Sequence, residues 1–475
     1  MTKVACWLIA GVIAGCGTPD PDPDPGDQDG DPDAGEHFEP GPPGCGFDHA
    51  AFCDPFDAPA GAMTRAGELD PKKWSAARMC NIGGASSDGE AVGIGLASVP
   101  SCRSGLPGQV PPSGDTLICD PNATIKSNHL LTLVAAQNYG QNSYRIRQPF
   151  DFADRTGTIV FDADAVATGL LGWVSLEVTE DPTPAPSFTF QQNYENGAIP
   201  ENAVEIQLTN SCNGANVGIG NVIVYRDFTQ TAVLSNVGVC VPAAAGKLNH
   251  FEVRLSRTRL ELYATPPSED GLTFTAPVLL GAVDIDLPFT RGYVHLTAHN
   301  HATLKYSNDT VDAWAVRWDN VGFDGPAITS GWREYEVLDS LSHSQITGKT
   351  DVGWRLADAA SGPAQTIAIP NVDVSGVVRA ELALESWILQ YVHEVPTGFA
   401  LNYRLNGHAW KARTLSGSEV QMIADLPNAG TRSMMLDVDV ADLSPGKNLL
   451  ELTTSNVPTS YPPVALNIDL ILHTQ

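Results

Sequence analysis

Runs in which apolar and polar residues alternate, punctuated by Gly, Pro, Asn and Asp, recur through most of this chain. Such alternation sorts side chains onto the two faces of an extended strand, and it does not fit a helix with its period of about 3.6. The pattern is carried by SYRIRQPFDF (143–152), GTIVFDAD (157–164), GWVSLEVTE (172–180), AVEIQLTN (203–210), NVIVYRDF (221–228), HFEVRLSRTRLELYA (250–264), YVHLTAHNHATLKYS (293–307) and DAWAVRWDNVGF (312–323). Many strands with few helices predict an all-β fold, a sandwich or a barrel.

A second block of the same kind follows ADAASGPAQT. Its landmarks are QTIAIPNVD, RAELALESWILQY, FALNYRLNGHAWKARTL, RSMMLDVDVADLSPGKNLLELTTS and VALNIDLILHTQ. LSPGKNLLEL (443–452) reads as a turn feeding a strand. RAELALESWI has helical propensity, but Tyr391-Val392 just after it and the strands around it favour sheet. The expected bodies are residues 45–362 and a smaller β-sandwich over 363–475.

The first residues form a separate region. Met1 to Ile13 is a short apolar run behind Lys3, ending in Ala14-Gly15-Cys16. It is too short to span a bilayer and has the shape of an export signal. Residues 17–44 hold nine acidic residues and no Lys or Arg, with alternating prolines, and so predict a stiff, self-repelling tether. The formal net charge is −28, and without Lys3 and the tether acids the body keeps about −20. No basic stripe is present to neutralise phosphates, which excludes nucleic acid as an expected partner. Export makes disulfides the expected state of the cysteines. Cys212 and Cys240 stand apart from the others and are expected to pair. Cys45 with Cys53 and Cys102 with Cys119 are sequence neighbours, which leaves Cys80; spacing alone leaves that connectivity open.

Four resemblances follow from these stretches. The segment ending at Cys16 resembles a bacterial lipoprotein signal; this implies lipidation of Cys16 and, with no aspartate after it, delivery to the outer membrane. AFCDPFDAPAGAMTRAGELDPKKWSAAR (51–78) resembles the opening of secreted concanavalin A-like glycanase domains, and GKLNHFEVRLSRTRLELYA (246–264) is similar to the hairpin of laminin-G and legume-lectin-like sandwiches. The terminal block resembles jelly-roll modules appended to carbohydrate-active proteins. The implied architecture is a concanavalin A-like β-sandwich followed by a carbohydrate-binding-like one, acting on an extracellular polysaccharide. One departure stands out: the Glu-x-Asp-x-x-Glu motif of laminarinase-type hydrolases is missing, and GAVDIDLP offers Asp284 and Asp286 without a glutamate.

Parity selects the candidate site. Tyr293, His295, Thr297, His299 and His301 share one strand face, with Val294, Leu296 and Ala298 on the other; Asn300 on the apolar side leaves room for a bulge. By the same rule Arg145 and Arg147 lie opposite Tyr144 and Ile146. Trp173 and Glu177 lie opposite Val174, Leu176 and Val178, and Arg317 and Asp319 opposite Val316 and Trp318. Arginine, histidine, carboxylate and tryptophan on such faces would stack on sugar rings and bond hydroxyls. The expected substrate-binding set is Trp173, Arg145, Arg147, His295, His299, His301 and Arg317.

Glycoside hydrolysis needs two carboxyl groups, for which Glu177 and Asp319 are the candidates. A polysaccharide lyase would instead use Arg145, Arg147 and Arg317 to neutralise a uronate, with a histidine or tyrosine as base. A non-catalytic glycan-binding or surface adhesion protein would use the same groups. His299 and His301, about 7 Å apart by strand rise, admit a zinc reading with Asp319 as third ligand. The resemblance also implies a structural calcium ion, with Asp319 and Asp324 of RWDNVGFDGP as ligands.

Overall fold

The computed structural model describes residues 38–57, 69–80, 116–118, 130–134, 140–167, 172–182, 200–212, 216–235, 248–265, 276–300, 314–328, 331–339, 354–356, 358–360, 362–387, 395–425, 431–457 and 463–474. Cys16, Cys240, His301 and most of the tether lie outside them, as do Cys102 and Cys119. Residues His37–Gln475 form one compact unit.

The expected all-β architecture is present, and its strands pair antiparallel. A front sheet of eight strands runs in the order Thr229–Ser235, Asn216–Arg226, Ala203–Cys212, Gly172–Thr179, Arg291–Asn300, Gly140–Ile146 and Trp74–Cys80, with Phe150–Asp151 paired to Arg291–Asn300. A back sheet of eight strands runs Val278–Asp284, Arg259–Thr265, Asn249–Leu255, Gly157–Ala167, Trp314–Asp324, Leu130–Val134 and Thr116–Ile118, with Ala50–Asp54 paired to Trp314–Asp324.

Alternation explains how the two sheets close on each other. Tyr144, Ile146, Val174, Leu176, Val178, Val294 and Leu296 from the front sheet join Phe161, Phe251, Val253, Leu262 and Trp318 from the back sheet in one buried cluster. Each fully buried aliphatic or Phe side chain contributes roughly 1.5–3 kcal/mol by leaving water. Phe161 stacks on Phe251 at 5.2 Å between ring centroids. The Arg291–Asn300 strand stays in unbroken register with both neighbours up to Asn300, so the bulge considered there is absent.

A bulge does occur between Asp319 and Gly322, where Asn320 takes a positive φ of 47°. Gly322 suits that place, since a Cβ there would lie 2.8 Å from the Phe52 carbonyl oxygen. Cys45 and Cys53 are joined by a disulfide beside this crossing, as their proximity in sequence suggests. Phe38–Pro40, within the expected tether, pairs with Pro326–Ile328. Strand pairing among the described residues therefore begins before residue 45.

The second sandwich stacks a five-stranded sheet on a four-stranded one. The larger runs Trp332–Asp339, Val464–Thr474, Val377–Trp387 and Thr431–Val438, with Trp354–Arg355 also on Val464–Thr474; the smaller runs Gln365–Val372, Gly446–Ser455, Ala400–Leu405 and Lys411–Arg413. Leu382, Leu384, Leu401, Leu450, Leu452, Ile468 and Leu470 fill the space between them. Val377–Trp387, which takes in RAELALESW, is strand, as its neighbours predict. Trp332–Asp339 pairs along the final strand of the chain, so this sandwich takes in residues well before the expected boundary at 362/363. Hydrophobic pattern marks a strand but not the sheet it joins.

The described residues include one α-helix, Gly417–Asp425, which alternation did not reveal. Ser416 and Glu419 cap it reciprocally: the Glu419 amide donates to Ser416 Oγ at 3.1 Å, and the Ser416 amide donates to a Glu419 carboxylate oxygen at 2.6 Å. Among the described residues no helix is long and apolar enough to cross a membrane.

Candidate functional site

The face of the front sheet turned away from the sandwich core carries a row of polar residues, and that row is buried. Across five of its strands the register sets Glu205 opposite Glu177, Glu177 opposite His295, His295 opposite Arg145 and Arg145 opposite Ser75. The next row runs Gln207, Ser175, Thr297 and Ser143. Glu177 and Glu205 are each 1% exposed and His295 is 0% exposed. These groups thus face away from the apolar core, as parity predicts, but not into open solvent.

His295 sits in a chain of hydrogen bonds whose direction fixes its tautomer. The Thr179 hydroxyl donates to the Asp181 carbonyl at 2.7 Å, so at 2.9 Å it accepts from His295 Nε2. Nδ1 is then an acceptor, 3.1 Å from the Ser143 hydroxyl, whose oxygen lies 3.3 Å from the Thr297 hydroxyl. Burial, reinforced by the Arg145 charge, holds the His295 pKa well below the usual histidine value. The ring is a neutral, internally bonded group.

The two glutamates have different partners. Glu205 accepts the Tyr225 hydroxyl at 2.7 Å and the Gln207 side-chain amide at 3.0 Å, and Gln207 is braced by Asn221 at 2.8 Å. Glu177 accepts the Ser175 hydroxyl at 2.9 Å. Residues directly opposite in an antiparallel pair have Cβ atoms about 4.5–5.5 Å apart.

The arginine end of the row is closed by the second sandwich. Glu334, on the Trp332–Asp339 strand, places one carboxylate oxygen 2.6 Å from Arg145 and the other 2.8 Å from Arg147. Burial opposes the charge of Glu334, but the two guanidinium groups override it and hold its pKa well below the usual carboxylate range. The Trp332 ring packs between Tyr293 of the front sheet and His473, at 5.7 and 4.9 Å between centroids. Beside this contact, burial and the charges of Glu180, Glu201 and Glu381 push Asp181 up to about 6.

The other expected site residues separate. Arg145 and Arg147 occupy the predicted face, yet Glu334 of the chain itself takes the place expected for a uronate. Trp173 is the register partner of His299 on the same sheet; their side chains, and those of Arg317 and Cys212, lie outside the described residues. Asp319 corrects the expected catalytic pair. It belongs to the back sheet, opposite Asp162, and sheets stack about 10 Å apart, with Trp318 and Phe161 in the core between it and Glu177.

Asp324 lies 2.7 Å from Arg155 and accepts the Thr158 amide at 2.9 Å, while Asp319 accepts the Asn320 amide at 2.9 Å. No group of three His, Cys, Asp or Glu placed to hold a metal occurs among the described residues. The residue that alternation left unremarked is Glu205. Its signal was the acidic residue on the polar parity of AVEIQLTN, two positions before Gln207.

No family profile and no curated protein matches the chain. Among solved structures, LamAcat from Zobellia galactanivorans is 10% identical, over 59% of this chain and 100% of its own, with a TM-score of 0.35. A beta-1,3-glucanase from Mycobacterium marinum is 13% identical, over 57% and 98%, with a TM-score of 0.30. A legume lectin-like domain from Entamoeba histolytica is 8% identical, over 44% and 86%, with a TM-score of 0.28. Likeness at this level leaves activity to be argued from the site.

Proposed function

We propose that this chain is a glycan-active protein whose front-sheet face hydrolyses glycosidic bonds, with Glu177 and Glu205 as the carboxyl pair. The observation that carries this reading is the direct cross-strand placement of two buried glutamates with unlike surroundings. Glu205 accepts two donated hydrogen bonds, from Tyr225 and Gln207, and in this reading it is the nucleophile, with Glu177 as the acid. In the first step Glu177 gives its proton to the glycosidic oxygen as the bond from the anomeric carbon breaks and Glu205 bonds to that carbon. Water then attacks, Glu177 takes back a proton and the ester to Glu205 breaks. Because the row is buried, substrate enters only when the groups covering it part.

Delivery through a lipid on Cys16, with residues 17–37 as tether, would place this body at a bacterial outer membrane, facing extracellular polysaccharide. The reading is tested by incubating the full chain with neutral and acidic glycans. New reducing ends that disappear in Glu177→Gln support it; equal release by that variant overturns it. A second reading, glycan binding without catalysis, is favoured by the burial of the row and by the use of Arg145 and Arg147 to seat Glu334. It calls for binding with no product.

A further inference from the structure

The outer face of the four-stranded sheet carries a second constellation, far in sequence from the glutamate pair. Thr366 is opposite Glu451 and Glu451 opposite Arg404. Trp410 directly precedes Lys411, the register partner of Tyr403, and the Arg404 guanidinium lies 4.5 Å from the centre of the Trp410 ring. The row is Thr366, Glu451, Arg404 and Trp410, from one edge strand to the other.

Trp410 is 43% exposed, one of few large apolar residues so open among the described ones. Its position is nonetheless well determined. The hairpin turns through Asn406-Gly407, both at positive φ (51° and 74°), the geometry of a tight two-residue turn. The Asn406 side chain locks that turn: its amide donates to the Asp442 carbonyl at 2.8 Å and to Asn448 Oδ1 at 2.7 Å, and its oxygen accepts the Leu449 amide at 2.9 Å. Arg404 is gripped by both carboxylate oxygens of Glu451, at 2.7 and 2.8 Å. Of the five guanidinium N–H donors of an arginine, Nε and Nη2 serve Glu451 here. Asn402, adjacent on the same face, is braced by a 2.7 Å bond to Ser455 Oγ. Exposed Ala412 and Leu449 flank these groups without standing over them.

An indole set against Arg404 and left 43% open contributes little to a core and offers its ring to a ligand. What such a surface recognises is set by its chemistry. The ring offers an apolar plane to the C–H face of a pyranose. Arg404 donates and Glu451 accepts within a few ångströms, matching adjacent hydroxyl groups that do both. The two charges cancel locally, and the chain as a whole carries −28, which repels a polyanion.

We propose that this face, built on Trp410, Arg404, Glu451 and Asn402, is a binding site for a neutral polysaccharide, separate from the front-sheet row. It holds whether or not the glutamate pair is catalytic.

The experiment is affinity electrophoresis of the full chain, carrying Glu177→Gln so that no probe is consumed, through gels containing a soluble β-1,3-glucan, a xylan, a galactomannan or the polyanion alginate. At least one neutral glycan should retard it, with alginate giving less retardation. Trp410→Ala should weaken that binding at least tenfold, while Trp410→Phe, which keeps a ring, should lose less. Circular dichroism and the unfolding midpoint identify a misfolded variant, and Arg404→Lys, which loses the fork to Glu451, gives a second test with an expected several-fold loss. Retardation unchanged in folded Trp410→Ala, no retardation by any neutral glycan, or stronger retardation by alginate would each overturn the proposal. Failure of the front-sheet reading is separately visible, since it concerns reducing ends released by the unsubstituted chain.

Discussion

Glu177 and Glu205 stand directly opposite each other on adjacent antiparallel strands, both buried, one bonded to Ser175 and the other to Tyr225 and Gln207. On the proposed reading, unlike partners around like groups would divide the work of acid and nucleophile. Tyr225→Phe removes one donor from Glu205 while keeping the ring packed. The expected outcome is a fall in kcat of roughly 10-fold, about 1.4 kcal/mol of transition-state stabilisation, with the fold intact by circular dichroism. Unchanged kcat would mean that the Tyr225 hydroxyl does not tune Glu205.

Glu334 joins the two sandwiches through Arg145 and Arg147. Glu334→Ala leaves two buried cations without their counter-charge, and breaking a buried pair in this way costs about 3–5 kcal/mol. Urea unfolding followed by tryptophan fluorescence measures it. A loss below about 1 kcal/mol would show that the contact contributes little to holding the sandwiches together.

Acid should act through opposed groups. His295 is neutral in the fold and takes a proton near pH 6.5 when unfolded, so its contribution is lost as pH falls below that value. Asp181, raised to about 6, binds its proton more tightly when folded, so its contribution grows as pH falls from 7 toward 5. Glu334, held low, adds a loss as pH falls below about 4.5. Removing the opposing group exposes the histidine: Tm should drop more steeply between pH 7 and pH 5 in Asp181→Asn than in the unsubstituted protein. Parallel Tm profiles would contradict this assignment.

The Cys45–Cys53 disulfide closes a short loop against the Trp314–Asp324 strand. Loop entropy at that length corresponds to about 2–3 kcal/mol. Cys53→Ser should lower the unfolding free energy by that amount, and a reductant should do the same to the unsubstituted chain but not to the variant.

Parity made the faces legible. Tyr144, Ile146, Val174, Leu176 and Trp318 enter the core, and Arg145, Glu177 and His295 take the other side. Strand order was not legible, because pairing between distant strands leaves no local trace. Asp319 therefore looked like a partner for Glu177 although its strand lies in the back sheet, while Glu205, the neighbour, went unremarked. Glu334 was hidden for a related reason: its strand belongs to the second sandwich but precedes most of it in sequence. The Gly417–Asp425 helix is too short for periodicity to reveal, and only its capping residues mark it.

The central claim, that Glu205 rather than Asp319 completes the site with Glu177, is tested most directly by reducing-end release from the glycan panel in Glu205→Gln and Asp319→Asn, each first shown to be folded. Glu205→Gln should lose at least about 100-fold, the scale of removing an essential acid–base or nucleophilic group, and Asp319→Asn should stay within about threefold of the unsubstituted chain. Full activity in Glu205→Gln, or loss confined to Asp319→Asn, would contradict it.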